Sequence, residues 1–186
     1  MVLRLLSSAV LIHLLACCCA RAKDPVVSGP QIGERPGPYS FLIASGPERG
    51  QQTCYVCETA DKPGIIVFAR SVSDPLGRLL AACDDAVARR PKDAMRAWMT
   101  VLGEKTIGLD ELGKWAKQKG LKSVPVGVFD DAAGPPSYKL ARDADVTVLL
   151  FVNRKVVVNA AFRPGELDDG AVKRLADEMA RLRVKD

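Results

Sequence analysis

The stretch from Ile65 to Val87, IIVFARSVSDPLGRLLAACDDAV, decides the fold. Its first five residues, Ile65 to Ala69, form a continuous β-branched and aromatic run, which is typical of a strand buried on both faces. Asp74 and Pro75 then provide a helix N-cap and a first helical residue. Apolar side chains follow at helical spacing, at Leu76, Leu79, Leu80, Cys83 and Val87. The stretch therefore predicts a buried strand that leads directly into an amphipathic helix.

The remaining elements extend this pattern in both directions. Further strands are predicted at Tyr39 to Ala44, Ala97 to Leu102, Val124 to Phe129, Val146 to Val152 and Val156 to Phe162. Two more helices are predicted from apolar stripes, one at Leu109, Leu112, Trp115 and Ala116 and the other at Val172, Leu175, Met179 and Leu182. A tight turn at Asn153-Arg154 joins the last two strands as an antiparallel hairpin. This order predicts the α/β class, with a mixed β-sheet and helices on both faces.

Residues 1–22 have the layout of a secretory signal peptide. Arg4 is followed by a largely apolar run from Ala9 to Cys19 and then by the small-residue cleavage pattern Ala20-Arg21-Ala22. The run is too short to span a bilayer comfortably. Leu14-Leu15-Ala16-Cys17 also matches a lipoprotein signal, in which Cys17 would carry the lipid. We therefore predict a secreted or periplasmic protein, with lipid anchoring at the outer face of a membrane as the alternative.

The segment after this leader is rich in turn formers, and the charge along the chain is mixed. Residues 28–38 contain six glycines and prolines, so residues 23–38 are predicted to be a linker. The 27 basic and 22 acidic side chains give a net charge of +5. Lysines cluster near Glu111 without interleaved aromatic residues, at Lys114, Lys117, Lys119 and Lys122. This pattern indicates a solvated helix face and predicts no binding of nucleic acid.

The histidine content excludes several kinds of site. His13 is the only histidine and lies in the predicted signal peptide. The mature chain therefore has no imidazole for a Ser/His/Asp or Cys/His nucleophile, or for a histidine-based zinc site. Covalent haem attachment is excluded because Glu58 follows Cys57. The main candidate reactive side chains that remain are Cys54, Cys57 and Cys83. Export favours a disulfide between two of them, because disulfides persist outside the cytoplasm.

By the order and spacing of these elements, residues 39–186 resemble the thioredoxin superfamily, especially its peroxiredoxin or redoxin branch. The resemblance implies a reactive cysteine directly after the strand that ends at Ala69, and a cis-proline before the strand that opens the late hairpin. Residues 70–75 contain no cysteine, and Val146 occupies the proline position. The usual redox site is therefore predicted to be lost. A peroxidase is not favoured, because the resemblance implies that peroxide is activated by a cysteine at that helix start, and none is present there.

Two other nucleophiles near this position have structural interpretations. Ser71 and Ser73 lack the adjacent base that a serine nucleophile needs, and helix capping is the better explanation of Ser73 and Asp74. Cys83 is a candidate resolving thiol, but it lies on the apolar face of its helix. An inert buried cysteine is the favoured interpretation.

Cys54 and Cys57 have a spacing that redox dithiols share with half of many zinc sites. Zinc would need two more ligands, and only Cys83 and carboxylates such as Glu58 or Asp61 are available, so no metal is predicted. The pair precedes the strand that starts at Ile65, whereas the family's reactive cysteine follows that strand, roughly 20 Å away. Unless the loop from Ser45 to Gly64 doubles back along the sheet, we therefore expect the pair at the opposite end, without the N-terminus of the helix that follows Ala69 to acidify it.

Two functions remain open for this pair. In the first, the protein is an exported thiol–disulfide oxidoreductase that needs no cofactor and acts on thiol- or disulfide-bearing exported proteins. By resemblance, Cys54 is then the attacking thiol and Cys57 the resolving thiol, because the first cysteine is usually the more exposed in the family. In the second, the protein is a redox-silent interaction or structural module, and Cys54–Cys57 is a structural disulfide.

Overall fold

The computed structural model describes residues 24–103 and 106–183. The predicted signal peptide and the predicted Cys17 anchor lie outside the described residues. Within these residues, no helix is both long enough and apolar enough to cross a membrane.

Seven strands in the described residues form one mixed sheet, and four α-helices accompany it. The strands are β1 Phe41–Ile43, β2 Gln52–Thr53, β3 Gly64–Ala69, β4 Arg96–Leu102, β5 Val126–Phe129, β6 Val146–Val152 and β7 Lys155–Phe162. The helices are α1 Tyr55–Thr59, α2 Asp74–Ala88, α3 Leu109–Gln118 and α4 Asp169–Arg181. The strand order is β2-β1-β5-β4-β3-β6-β7. β3, β4 and β5 are parallel, whereas β1, β2, β6 and β7 join the sheet in antiparallel pairs.

The side chains of β3 alternate between two separate apolar layers, which explains its β-branched and aromatic composition. Ile65, Val67 and Ala69 contact the layer that contains α2, α3 and α4. Ile66 and Phe68 contact a second layer that is rich in aromatic residues. All six residues of β3 are buried because both faces of the sheet are covered.

The two faces are covered by different kinds of structure. The three helices that the sequence predicts all pack on one face. The other face carries α1, which the sequence analysis did not predict, together with Tyr39, Phe41, Trp98 and Tyr138. The indole of Trp98 donates to the Tyr39 hydroxyl at 2.8 Å, so this layer is both apolar and hydrogen-bonded.

The start of α2 differs from the prediction by one residue. Ser73, rather than Asp74, is the N-cap, and its hydroxyl accepts from the backbone N–H of Leu76 at 3.3 Å. Asp74 and Pro75 occupy the first turn. The reason for the error is that serine and aspartate are both favourable N-caps, so their sequence pattern does not separate the two positions.

Residues 24–38 contain no helix or strand and lie against the C-terminal hairpin. The buried Ser28 hydroxyl hydrogen-bonds the Thr147 hydroxyl at 2.7 Å. The backbone N–H of Gly33 donates to Val156 O at 2.8 Å, and the N–H of Val156 donates to Glu34 O at 2.9 Å. The segment therefore covers part of the free edge of β7.

Candidate functional site

Cys54 and Cys57 form a disulfide at the start of α1, with their Cα atoms 5.4 Å apart. Cys54 is the N-cap of this helix, and the backbone N–H of Cys57 donates to its Sγ at 3.3 Å. The pair therefore lies away from the N-terminus of α2, as the sequence predicts, and at the start of a short helix that the sequence analysis did not predict. α1 has only five residues, which is too short for a helical apolar pattern in the sequence. An N–H that points at sulfur favours the thiolate of Cys54 once the disulfide is reduced.

The disulfide lies at the end of β3 that is opposite to Ser71, as the sequence predicts. Gly64 at the start of β3 pairs with Phe151, and Ala69 at its end pairs with Val146. Cys57 and Phe151 line the same cleft, whereas Ser71 follows Ala69. The structure thus brings Cys54 and Cys57 together and keeps both away from the position of the family's reactive cysteine.

The two cysteines differ in exposure, in the order opposite to that expected. Cys57 is exposed and Cys54 is half-buried. The expectation that Cys54 is the more accessible of the two is wrong, because as the N-cap it is held between β2 and the first turn of α1. Cys57 is therefore the more accessible of the two cysteines.

Cys57 lines a cleft with a volume of about 570 Å³. The N-terminal segment, α1 and the β6–β7 turn form its walls. Its lining is partly apolar, with Val56 and Phe151, and partly cationic, with Arg35 and Arg154. A larger cleft of about 680 Å³ lies between α3 and the β1–β2 connection, and neither cysteine lines it. Of these two clefts, only the smaller one is lined by a cysteine of the pair.

Arg96 and its neighbours hold α1 in place. The Glu58 carboxylate accepts from Thr53 Oγ1 and from Arg96, each at 2.7 Å. The Arg96 guanidinium also lies 5.6 Å from the ring centroid of Tyr55, within cation–π distance. Burial and a hydrogen bond to Glu48 raise the pKa of Tyr55, so its hydroxyl stays protonated and donates to that carboxylate. Both residues next to Cys57, Val56 and Glu58, are therefore on a fixed helix.

At the opposite end of β3, hydrogen bonds join the strand to the segment between β5 and β6. Arg70 donates to Ala144 O at 3.0 Å, to Ala141 O at 3.1 Å and also to Ala132 O. Ser71 Oγ lies 2.9 and 3.0 Å from the two carboxylate oxygens of Asp145. There is no cis peptide bond in the described residues. The Arg70 guanidinium therefore holds together the end of the sheet at which the resemblance implies a reactive cysteine.

Comparison with solved structures identifies the architecture. A proposed protein disulfide isomerase from Bacteroides thetaiotaomicron has a TM-score of 0.63 at 16% identity, covering 84% of this chain and 94% of that chain. Peroxidoxin BcpB from Mycobacterium tuberculosis has a TM-score of 0.55 at 13% identity, covering 83% and 99%. A secreted disulfide oxidoreductase from the same organism, homologous to E. coli DsbE, has a TM-score of 0.53 at 9% identity, covering 77% and 96%.

This chain has the thioredoxin-like fold. The predicted α/β class and the predicted likeness to the redoxin-like branch are confirmed. No family model matches the sequence, and no curated protein matches it. At these identities the structural likeness shows the fold alone, so the activity has to be argued from the side chains.

Within the thioredoxin-like fold, Cys83 is a buried side chain of α2. It has no exposed surface, and its Sγ lies 3.8 Å from the Met179 sulfur of α4. Burial, with a smaller contribution from Asp84, raises the pKa of the Cys83 thiol to about 12. These observations favour the inert interpretation over that of a resolving thiol.

The sequence analysis missed Arg35, Arg96 and Arg154 as residues of this site. They come from the N-terminal segment, from the start of β4 and from the β6–β7 turn. None has a local motif, because each reaches the disulfide or its cleft only through the tertiary fold. In the described residues, no three cysteine, histidine or carboxylate side chains are placed to hold a metal ion.

Replacement of Arg70 by alanine should lower the free energy of unfolding by about 2–3 kcal/mol, because charge-assisted hydrogen bonds to three carbonyls are lost. The matched control is Arg78→Ala, which removes an exposed arginine paired with Asp169 and should cost less than about 1 kcal/mol. Denaturant unfolding of both variants measures the difference. Equal losses in the two variants would show that Arg70 does not hold that end of the sheet together.

Cys83 should resist iodoacetamide at pH 8 in the native protein, since its thiolate forms only near pH 12 and its sulfur is buried. The same thiol should be labelled rapidly after unfolding in guanidinium chloride. Mass spectrometry of the peptide that contains Cys83 measures the extent of labelling in the native and the unfolded protein. Native labelling at the rate of an exposed thiol would overturn the inert assignment.

Proposed function

We propose that this protein is an exported thiol–disulfide oxidoreductase that works through Cys54 and Cys57 on thiol- or disulfide-bearing exported proteins. The observation that carries the proposal is that the exposed residue Cys57 lines a cleft and is bonded to half-buried Cys54, whose Sγ accepts an N–H. An accessible sulfur with a stabilised leaving group is what thiol–disulfide exchange requires.

The exchange proceeds in two steps. A partner thiolate attacks Cys57 Sγ, the Cys54–Cys57 bond breaks, and Cys54 leaves as a thiolate that accepts the N–H of Cys57. A second thiolate of the partner then attacks the partner's sulfur in the mixed disulfide and releases Cys57 as a thiolate. The partner loses two electrons and two protons, and the cysteine pair gains both. The reverse sequence reduces a disulfide of the partner.

This order makes Cys57 the partner-bonded cysteine and Cys54 the resolving cysteine, the opposite of the order implied by the family resemblance. Two features support it. Cys57 is the more exposed of the two, and the backbone N–H of Cys57 donates to Cys54 Sγ at 3.3 Å. A sulfur that accepts a hydrogen bond is the better leaving group when the disulfide is attacked.

The size of the disulfide loop argues against a purely structural purpose. Closing a loop of about four residues stabilises a chain by only about 2 kcal/mol in the chain-entropy model, compared with about 3 kcal/mol for a loop of 15 residues. A disulfide meant to stabilise the protein would join segments farther apart in sequence. A redox-silent module with a structural Cys54–Cys57 bond is the second candidate, supported by the hydrogen-bonded closure at Arg70.

Export is part of the proposal and is supported by the composition of residues 1–22, with the alternative of a lipid anchor at Cys17. The secreted Mycobacterium tuberculosis oxidoreductase has the same fold, so such a protein can serve outside the cytoplasm. The persistence of a disulfide is also typical of oxidising compartments.

Cys54→Ser and Cys57→Ser should each abolish turnover in an insulin-reduction assay, because each leaves a single thiol. Cys83→Ser is the matched control and should retain turnover within about twofold, since Cys83 is buried away from the pair. Retained turnover in both site variants would exclude Cys54 and Cys57 as the site of the activity, whereas an unmodified protein without turnover would favour the redox-silent module.

The same variants test the order of the two cysteines. Mixed with a disulfide-containing peptide, Cys54→Ser should accumulate the stable mixed disulfide at Cys57, because the resolving thiol is missing. Intact-mass spectrometry quantifies the adduct. Faster accumulation in Cys57→Ser would show that Cys54 bonds the partner.

A further inference from the structure

The cleft beside Cys57 is cationic. Arg35 and Arg154 line it, and no aspartate or glutamate does so within the described part of the chain. Arg154 already pairs with Asp61, at 2.8 Å. Arg35 is exposed and has neither an ion pair nor a side-chain hydrogen bond to any described residue. One guanidinium is therefore free to bind an anion in the cleft that Cys57 lines.

Arg35 is held over the cleft by anchors on both sides. The carbonyl oxygen of Glu34 accepts from the N–H of Val156 at 2.9 Å. The carbonyl oxygen of Gly37 accepts from the Tyr138 hydroxyl at 2.8 Å, and Pro36 between them is buried. The backbone at Arg35 is thus fixed before any partner binds, which reduces the entropy lost on binding.

We propose that this cleft selects partner proteins whose reactive cysteine lies in an acidic segment, with Arg35 binding a carboxylate close to that cysteine. The proposal rests on the exchange function proposed above. A guanidinium binds carboxylate through two parallel N–H donors, so it fixes orientation as well as charge. The accessible apolar part of the lining, at half-buried Val56 and exposed Pro38, fits an apolar side chain of the same segment.

A protein segment fits this cleft better than a small carboxylate-bearing thiol. The cleft is about 570 Å³ in volume, and it combines an apolar surface with the cationic wall. A small, fully polar thiol would use the arginine and leave the apolar surface exposed to water, whereas a peptide covers both. Glutathione therefore serves as the small-thiol comparison in the test.

The test measures reduction of the Cys54–Cys57 bond in the full oxidised protein by peptides of one sequence that differ beside a single cysteine. One peptide has Glu next to the cysteine and the other has Gln. Second-order rates are read by acid quenching and mass spectrometry. The quantity compared is the Glu-to-Gln rate ratio in each variant, because differences in the peptides' own thiol reactivity cancel between variants.

The Glu-to-Gln ratio should fall about threefold to tenfold from the wild type to Arg35→Gln at low ionic strength, and the difference should shrink in 0.5 M salt. Arg35→Lys should keep part of the preference. Arg78→Gln removes the same charge from a distant exposed site on α2 and should keep all of it. Because Arg35 is exposed, these variants should fold normally, and circular dichroism checks this.

Three results would contradict the proposal in distinguishable ways. An equal ratio in wild type and Arg35→Gln, with exchange still measurable, would overturn the role of Arg35 alone. A loss of rate with glutathione in Arg35→Gln as large as that with the Glu peptide would overturn the assignment to a protein segment. No exchange with any thiol in any variant would overturn the exchange function as well.

Discussion

The antiparallel pairing of β3 with β6 is the constraint on which the rest of the structure depends. Gly64 pairs with Phe151 at one end and Ala69 with Val146 at the other. Five steps along a strand separate these ends by roughly 17 Å. A side chain at one end therefore cannot take part in chemistry at the other end, and different residues surround the two ends.

One end of β3 is held by hydrogen bonds, and the other end carries the accessible disulfide. At the Ala69 end, Arg70 ties β3 to the loop before β6 through three carbonyl oxygens, so the place of a thioredoxin-like dithiol is filled by hydrogen bonds. At the Gly64 end, a five-residue helix places the exposed residue Cys57 in a cleft.

Much of the fold could be predicted from the sequence because its main elements are long and periodic. The β3–α2 unit, the hairpin of β6 and β7 and the helix α4 all have clear apolar patterns. β2 and α1 could not be predicted, since two and five residues are too few to establish a period. The position of the disulfide along the sheet followed from the order of elements alone.

The surroundings of the disulfide could not be predicted. Arg35, Cys57 and Arg154 lie far apart in the sequence and meet only because the N-terminal segment crosses the edge of β7. The exposure order of Cys54 and Cys57 depends on which of them caps α1, and a spacing of two residues carries no information on that point. The composition of the cleft therefore depends on long-range contacts, and the exposure order of the two cysteines depends on a local helix cap.

We propose that a working dithiol lies at the end of β3 opposite to the position that the family resemblance implies. A redox titration of the purified mature protein, with mass spectrometry of the peptides that contain Cys54 and Cys57, tests it most directly. We predict a reversible two-electron transition between about −270 and −120 mV, the range of known exchange proteins. A bond that stays oxidised below about −300 mV, as structural disulfides do, would contradict the claim.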